Sequence, residues 1–453
     1  MKKNQPTTRL ITKQHHHLAI AAGLALNLAA GFLAGPARAG ITNLTWNADC
    51  TVKETYDDNV YIQDVVPNPA NVAAAEAAGY HPVQAGKSSF VTTFVPRFGL
   101  NYQPCIGFNA TIGYAPEIAL YTSAEGEDYI THRVTLNFTG KIKDATWELL
   151  NSPTFIEGST VGPVFARPED VPAIGGIPLR DRREQFVFRN TFRVTIPVGN
   201  WFIRPVATSY YHDFLTDQRR ETAETMYYYE NYVDRQDVNG GLDVGYDVGK
   251  KTYVVLGYRY GQQDQGDLLG ERSVYNSKYD RVLAGVEGSP VSWLKLNMSL
   301  GPEFRRFDPG APSSFNRSEL LCYADASATV LPTKADTVSL RWTRFEQPAF
   351  SSQSVYEDIK YDLSWRHKFC GQFTAGAGFT AYVGDWQTPV NRNDWIYTPS
   401  VSASYNFNRH LSADASWAHD IVQSKVPVGP LAPYADGREW SRNLVSLAVK
   451  YVF

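Results

Sequence analysis

No apolar run long enough for a membrane-spanning helix, about 18 residues or more, recurs in this chain after Ala34. Any crossing of a bilayer must therefore use strands. A basic excess is also missing. Taking the five basic residues Lys2, Lys3, Arg9, Lys13 and Arg38 from the total of 43 leaves 38 against 46 acidic. That balance argues against a nucleic-acid partner, since nothing is left over to neutralise phosphates. No G-x-S-x-G elbow, paired C-x-x-C or H-E-x-x-H occurs, so nucleophilic and zinc chemistry have no local anchor and no metal or other cofactor is expected. Cysteine is scarce. Cys50 and Cys322 fall in step with the outward apolar residues of their segments, and Cys105 and Cys370 sit in two well-separated short turns. A disulfide needs Cα atoms within about 7 Å, so this placement favours free thiols even in an oxidising compartment.

What is present begins with a leader. Four basic residues precede an apolar run from Leu18 to Ala34, and Ala37-Arg38-Ala39 before Gly40 has the A-x-A form of a processing site. The expectation is a signal peptide over 1–39, cleaved after Ala39, and a single domain over 40–453. The run His15-His16-His17 leaves with the leader.

The rest of the chain alternates. From Leu44 to Tyr56 the even positions are almost all apolar (Leu44, Trp46, Ala48, Cys50, Val52), while Thr45, Asn47, Asp49, Thr51, Lys53 and Thr55 fill the odd ones. Side chains two apart share a face of a strand, so this segment has one apolar and one polar side. Around 186–196, Phe186, Phe188, Phe192, Val194 and Ile196 alternate with Val187, Arg189, Thr191, Arg193 and Thr195. Arg or Lys facing lipid at mid-depth would cost about 2–4 kcal/mol each, so the charged face must look inward.

The same pattern places strands near 44–56, 90–102, 106–120, 129–139, 143–153, 184–198, 201–214, 226–248, 252–262, 274–287, 291–306, 318–331, 335–346, 356–368, 371–384, 394–407, 410–422 and 440–453. Short connections such as Gly140-Lys141, Gly199-Asn200 and Asn408-Arg409 alternate with long ones. The predicted fold is all-β, a transmembrane antiparallel up-and-down β-barrel of about 18 strands in the cell outer membrane. Sixteen is the alternative, because the pairs at 129–153 and 318–346 are the least regular. Aromatics gather at the strand ends, with Trp46, Tyr102, Trp365, Tyr405 and Tyr451 toward one rim and Tyr56, Phe90, Phe304 and Trp395 toward the other, as at a lipid–water boundary. Pro96, Pro116, Pro205, Pro302 and Pro399 lie inside strands, all on the outward side, and predict bulges or bends.

The inner wall is expected to carry Arg97, Arg133, Arg189, Arg193, Arg259, Arg281, Arg305, Arg341 and Arg366, with Glu117, Glu148, Glu303, Asp362 and Asp414 among them. Such a wall suits small hydrophilic solutes, with modest charge selectivity leaning toward anions. Residues 154–183 form one of the two longest loops. They occupy the ordinal place of the loop that folds inward in well-known porins. Glu169 and Asp170 would then face arginines such as Arg97 and Arg133 across a constriction. The other long loop, 57–87, includes a short helix from Asn71 to Ala78 stopped by Gly79. Asp57-Asp58-Asn59 reads as a solvated loop start or, secondly, as hard oxygen ligands for Ca²⁺. His212-Asp213 reads as a loop-proximal polar pair or as part of a hydrolase site beside a serine.

The leader, the alternating segments and the terminal aromatic resemble the general outer-membrane porin class along the whole exported chain. Glu54-Thr55-Tyr56-Asp57-Asp58-Asn59-Val60-Tyr61 resembles the opening of the β-barrel porin type 2 family. The resemblance implies a non-enzymatic diffusion channel in outer-membrane lipid, with export of surface polysaccharide as the alternative and an outer-membrane hydrolase further off. Monomer and oligomer stay open. It also implies that Val445, Leu447, Val449, Tyr451 and Phe453 form the signal read by the barrel-assembly machinery. Changing Phe453→Asp should then lower assembly while leaving secretion intact. A heat-modifiable band at the normal level in outer-membrane fractions of that variant would refute the assignment.

Overall fold

The computed structural model describes residues 43–62, 86–105, 107–124, 127–157, 184–218, 232–350, 353–388, 391–425 and 440–453. The leader and its processing site, the expected helix at 71–78, and the loop segment that holds Glu169 and Asp170 lie outside the described residues.

Eighteen strands follow one another: β1 (Leu44–Asp57), β2 (Ser89–Cys105), β3 (Phe108–Tyr121), β4 (Tyr129–Ile142), β5 (Ala145–Glu157), β6 (Gln185–Val198), β7 (Trp201–Phe214), β8 (Arg235–Gly249), β9 (Thr252–Gln265), β10 (Ser277–Val291), β11 (Leu294–Phe307), β12 (Ser318–Val330), β13 (Asp336–Pro348), β14 (Val355–Lys368), β15 (Phe373–Trp386), β16 (Arg392–Asn406), β17 (Leu411–Lys425) and β18 (Trp440–Val452). Each pairs antiparallel with the next, and β1 pairs with β18, so the sheet is a closed meander. The alternative of sixteen strands is excluded. A strand of 14 residues, rising about 3.3 Å per residue and tilted about 40°, spans roughly 35 Å along the barrel axis.

The polar face is the concave one. The Arg204 guanidinium on β7 donates to the Glu287 carboxylate on β10 at 2.9 Å, and side chains three strands apart meet only across the inside of a curved sheet. Register carries this assignment around the wall, since residues directly opposite share a face: Arg281 lies opposite Arg259 and Glu303, and Arg193 opposite Glu148. The convex face is correspondingly apolar and exposed, as at Leu256, Leu320 and Leu447. Trp46, Trp201, Trp293, Trp365, Tyr405 and Tyr451 stand outward around the rim of short turns.

Several borders differ from the sequence reading. The strand expected from residue 226 begins at Arg235, because the chain from Tyr232 to Asp234 turns across the rim and packs its Tyr232 ring on Phe214, 5.1 Å between centroids. Gly140 and Lys141 belong to β4, and the turn falls at Lys143-Asp144, where Lys143 adopts φ +54°. Pro96, Pro116, Pro205, Pro302 and Pro399 make no bulge. Pro116 stays opposite His132, Pro205 opposite Leu242, Pro302 opposite Cys322 and Pro399 opposite Phe379. Each proline lacks one N–H, and the sheet loses rungs on one side only without shifting register, as between Tyr397 and Ser400 against β17. Register shifts occur instead near the short turns, between Gly288 and Val291, Tyr102 and Cys105, and Asp247 and Gly249. All four cysteines are free thiols.

Asp57 is buried, not solvated: it is 3% exposed and faces Arg442 of β18 at 3.4 Å. Asp58 accepts from the backbone N–H and the side-chain amide of Asn443 at 2.6 and 2.7 Å, and Asn59 donates to the Ser441 carbonyl at 2.9 Å. These three residues staple the loop end of β1 to β18 where the barrel closes. Their carboxylates are engaged by protein donors, which leaves the Ca²⁺ reading without support. The double change Asp57→Ala with Asp58→Ala should lower stability by about 3–6 kcal/mol, the sum of two lost charge-assisted bonds, and urea unfolding in lipid vesicles would measure it.

Candidate functional site: the inner wall and its inward hairpin

Most of the expected inner-wall arginines are neutralised by a neighbouring carboxylate. Arg97 meets Asp49 at 3.4 Å, Arg133 meets Glu117 at 2.6 Å, Arg259 meets Asp243 at 2.7 Å and Arg341 meets Asp325 at 3.6 Å. Arg193 is held by Glu148. Glu117 also takes the Tyr129 hydroxyl at 2.7 Å. Asp362 takes Lys360 at 3.2 Å, and Asp414 accepts from Ser404. Arg189 and Arg366 have no ion pair among the described residues. Alternation predicts which face these side chains share, because the period of two is rigid; it does not predict which pairs are close enough to cancel.

Arg281, Glu303 and Arg305 are not water-exposed wall residues. Arg305 and Glu303 are each 1% exposed and Arg281 6%. Glu303 bridges the two guanidinium groups at 2.5 Å each. Arg281 also stacks on Tyr279 and Tyr323, 4.4 and 3.8 Å from the ring centres. Arg305 reaches on to Ser277 at 2.8 Å, to Gln263, and to Glu346 of β13 at 3.1 Å. A charge buried this deeply is tolerated only when paired and hydrogen-bonded.

What buries the cluster is a hairpin. The pairing of β12 with β13 runs only from Val330 opposite Val338 to Ala324 opposite Arg344. Toward the loop rim β12 remains on β11, while β13 stays paired with β14 as far as Pro348 opposite Val355. The sheet therefore parts between β12 and β13, and the loop end of β13 turns inward with β14, which stays paired to β15 as far as Tyr356 opposite Trp386. Inward side chains of three other strands receive it through its backbone carbonyls: Gln263 donates to Glu346 at 3.0 Å, Arg235 to Pro348 at 2.8 Å, Gln265 to Ala349 at 2.6 Å, and Arg305 to Glu346 at 3.3 Å. At the tip, the Val233 N–H donates to the Phe350 carbonyl at 2.8 Å. The Phe350 ring lies 5.9 Å from Phe214 and 6.2 Å from Tyr232. A hairpin that starts at β13 and touches β8 crosses the lumen as a chord.

A cavity of about 490 Å³ adjoins this hairpin, lined by Phe345, Gln347, Tyr356 and Asp358 on the hairpin side and by residues of β6 to β10 and β12 on the wall side. The sequence marks the hairpin only indirectly. Arg344, Glu346 and Glu357 occupy positions that alternation assigns to the outside, and there they form pairs such as Arg344 with Glu357 at 2.7 Å. His212 belongs to the same region, and both ring nitrogens are taken, Nε2 by Gln185 at 2.8 Å and Nδ1 by Tyr210 at 3.2 Å. Among the described residues no serine partners it, so the hydrolase reading of His212 finds no support there.

No family model matches the chain, and no curated protein matches it either. Among solved structures, the outer membrane protein opdK from Pseudomonas aeruginosa is 10% identical at a TM-score of 0.40, over 90% of this chain and 99% of that one. OccK2 (OpdF) from the same organism is 8% identical at 0.42, over 90% and 98%. The siderophore receptor PirA from Acinetobacter baumannii is 8% identical at 0.41, over 91% and 81%. Likeness at this level leaves the function to be argued from the wall itself.

The buried cluster makes a sharp contrast with the exposed pairs. Arg305→Met should cost about 3–5 kcal/mol, because it leaves Glu346 buried without its cation and Glu303 with Arg281 alone. Arg341→Gln, with 60% of its side chain exposed, should cost about 0–1 kcal/mol. Equal shifts in urea unfolding of the two variants would contradict the role given to the cluster.

Proposed function

We propose that the chain is exported by its leader, cleaved after Ala39, and assembled into the outer membrane as a passive, non-enzymatic channel for small hydrophilic solutes. The observation that carries this reading is the two-sided wall. An apolar, exposed convex face with outward aromatics at the turn rim suits lipid, and a concave face of paired charges and amides suits water. A barrel of 18 strands is in the size range that encloses an aqueous passage. The resemblance of Glu54–Tyr61 to the type 2 porin opening points the same way. Charge selectivity is weak, because most inner arginines sit beside a carboxylate. The inward end of β13 and β14 narrows the lumen, and the constriction expected of 154–183, with Glu169 and Asp170, falls on a loop that lies mostly outside the described residues.

Single-channel recording on refolded protein tests the function. Discrete ohmic steps are expected, and a bilayer that stays silent with a correctly folded barrel would overturn the channel. Replacing Ala349–Ser354 by an Asn-Gly turn, which suits a two-residue hairpin, should raise the conductance, since the chord across the lumen is shortened. Unchanged conductance would remove the hairpin as the constriction.

Orientation is set by the short turns, which belong in the periplasm of such a barrel. Cys370 is exposed in the turn after β14, and hydrogen bonds from the backbone N–H groups of Gln372 and Phe373 hold its thiol below the ordinary value. In a variant with Cys50, Cys105 and Cys322 changed to alanine, a polymer-linked maleimide too wide for the lumen should label Cys370 only after the outer membrane is permeabilised. Labelling on intact cells would invert the orientation.

A further inference from the structure

Of the inner arginines without an ion pair among the described residues, Arg189 and Arg235 line the same cavity, while Arg366 stands near the turn end of β14. Arg235 is 8% exposed. It donates to the Pro348 carbonyl at 2.8 Å and to the Tyr210 hydroxyl at 3.3 Å, and its Nε–H is buried without an acceptor among the described residues. No carboxylate lies within ion-pair distance of it among the described residues. Arg189, exposed to the lumen, is likewise without one. Both guanidinium groups stack on Tyr210, their carbons 5.0 and 5.6 Å from the ring centre. A buried cation with an unused N–H and no carboxylate in direct contact is costly, and Asp358 offsets it only from a longer range. Here a second cation stands beside it on the same ring.

The acidic residues of the cavity are committed elsewhere. Asp237 accepts from the Tyr279 hydroxyl at 2.8 Å, from Gln263 at 2.5 Å and from Asn239 at 3.2 Å. Asp358 accepts from Gln347 at 2.8 Å. Carboxylate oxygens have further lone pairs, so both remain able to accept from a hydroxyl. The volume, about 490 Å³, falls in the range of small-molecule sites.

We propose that this cavity is a solute-binding subsite for a small hydroxylated carboxylate, its carboxylate taken by Arg189 and Arg235 beside Tyr210 and its hydroxyls by Asp237, Asp358 and the neighbouring amides. The proposal rests on the channel reading and names the solute class that the channel retains longest. Planar guanidinium groups suit a carboxylate because they offer paired N–H donors in its own geometry. A neutral polyol would leave both guanidinium charges unanswered. A plain fatty carboxylate would leave the acceptors unanswered.

The probes are gluconate, sorbitol and hexanoate, which carry respectively both features, hydroxyls alone and a carboxylate alone. Calorimetric titration of the detergent-solubilised full barrel should show gluconate binding most tightly. Arg189→Gln should weaken it about tenfold, the effect of one lost charge-assisted bond. Arg189 is exposed and its loss leaves no orphaned carboxylate, so this variant keeps the test readable if Arg235→Gln fails to fold. Arg235→Lys, which keeps the charge and loses the fork, should weaken gluconate as well. In single-channel records gluconate should interrupt the current for longer than sorbitol does, and Arg189→Gln should shorten those interruptions. Equal binding of sorbitol and gluconate, or unchanged gluconate binding in Arg189→Gln, would overturn the subsite. Binding without conduction would sink the channel and leave the subsite standing, and conduction without binding would do the reverse.

Discussion

The ladder between the first and last strands is the interaction on which the rest depends. Backbone N–H and C=O groups in hydrocarbon cost several kcal/mol each when unpaired, so a sheet that crosses a bilayer must have no free edge. The register from Asp49 opposite Val452 to Asp57 opposite Leu444 removes that edge. At the loop end the staple of Asp57, Asp58 and Asn59 onto Arg442, Asn443 and Ser441 fixes where the ladder stops. Once the sheet is closed, the period of two decides everything else about each side chain: out or in. Strand prolines are tolerable for the same reason, because the in-register sheet on either side holds the strand when a single N–H is missing.

Closure at this strand number creates a second demand, since eighteen strands enclose more space than wall side chains fill. The chain meets it with its own sheet. Near the loop rim β13 gives up β12, and the carbonyls of Glu346, Pro348 and Ala349 take donors from Gln263, Arg235 and Gln265. A backbone leaving a ladder needs hydrogen-bond donors more than it needs apolar surface, which accounts for amides and guanidinium groups along the inner faces of β8, β9 and β11. The buried Arg281, Glu303, Arg305 and Glu346 cluster lies under that overlap, where the side chains are cut off from water.

Strand number and most strand borders were legible in the sequence because lipid on one side and water on the other impose alternation on nearly every segment. Where that pressure ends, the reading failed. Tyr232 and Val233 alternate acceptably with the residues of β8, yet they turn across the rim to meet Phe350, a contact 117 positions away that no local pattern encodes. The hairpin was illegible for a related reason. Arg344 with Glu357 and Asp280 with Arg306 are all charged residues on outward parity near the loop rim. In sequence the two pairs look alike. In the structure Arg306 has 66% of its side chain exposed, whereas Glu357 has 5%, because the sheet parts only between β12 and β13 and the free β13 edge turns inward.

Pairing also changes what the arginines mean for transport. A row of free guanidinium groups would raise the local concentration of any anion along the whole passage. Arg97, Arg133, Arg193, Arg259 and Arg341 each have a carboxylate beside them instead, so their fields are dipolar and fall off within a short distance in a lumen full of ions. The potential is left uneven. It is weak along most of the wall and concentrated where Arg189 and Arg235 share Tyr210 beside the inward hairpin. Under the proposed function, a solute meets its strongest charge beside the inward end of β13 and β14, where a retained molecule would block the path of the next. On that proposal discrimination comes from one position, with the paired charges of the remaining wall nearly neutral.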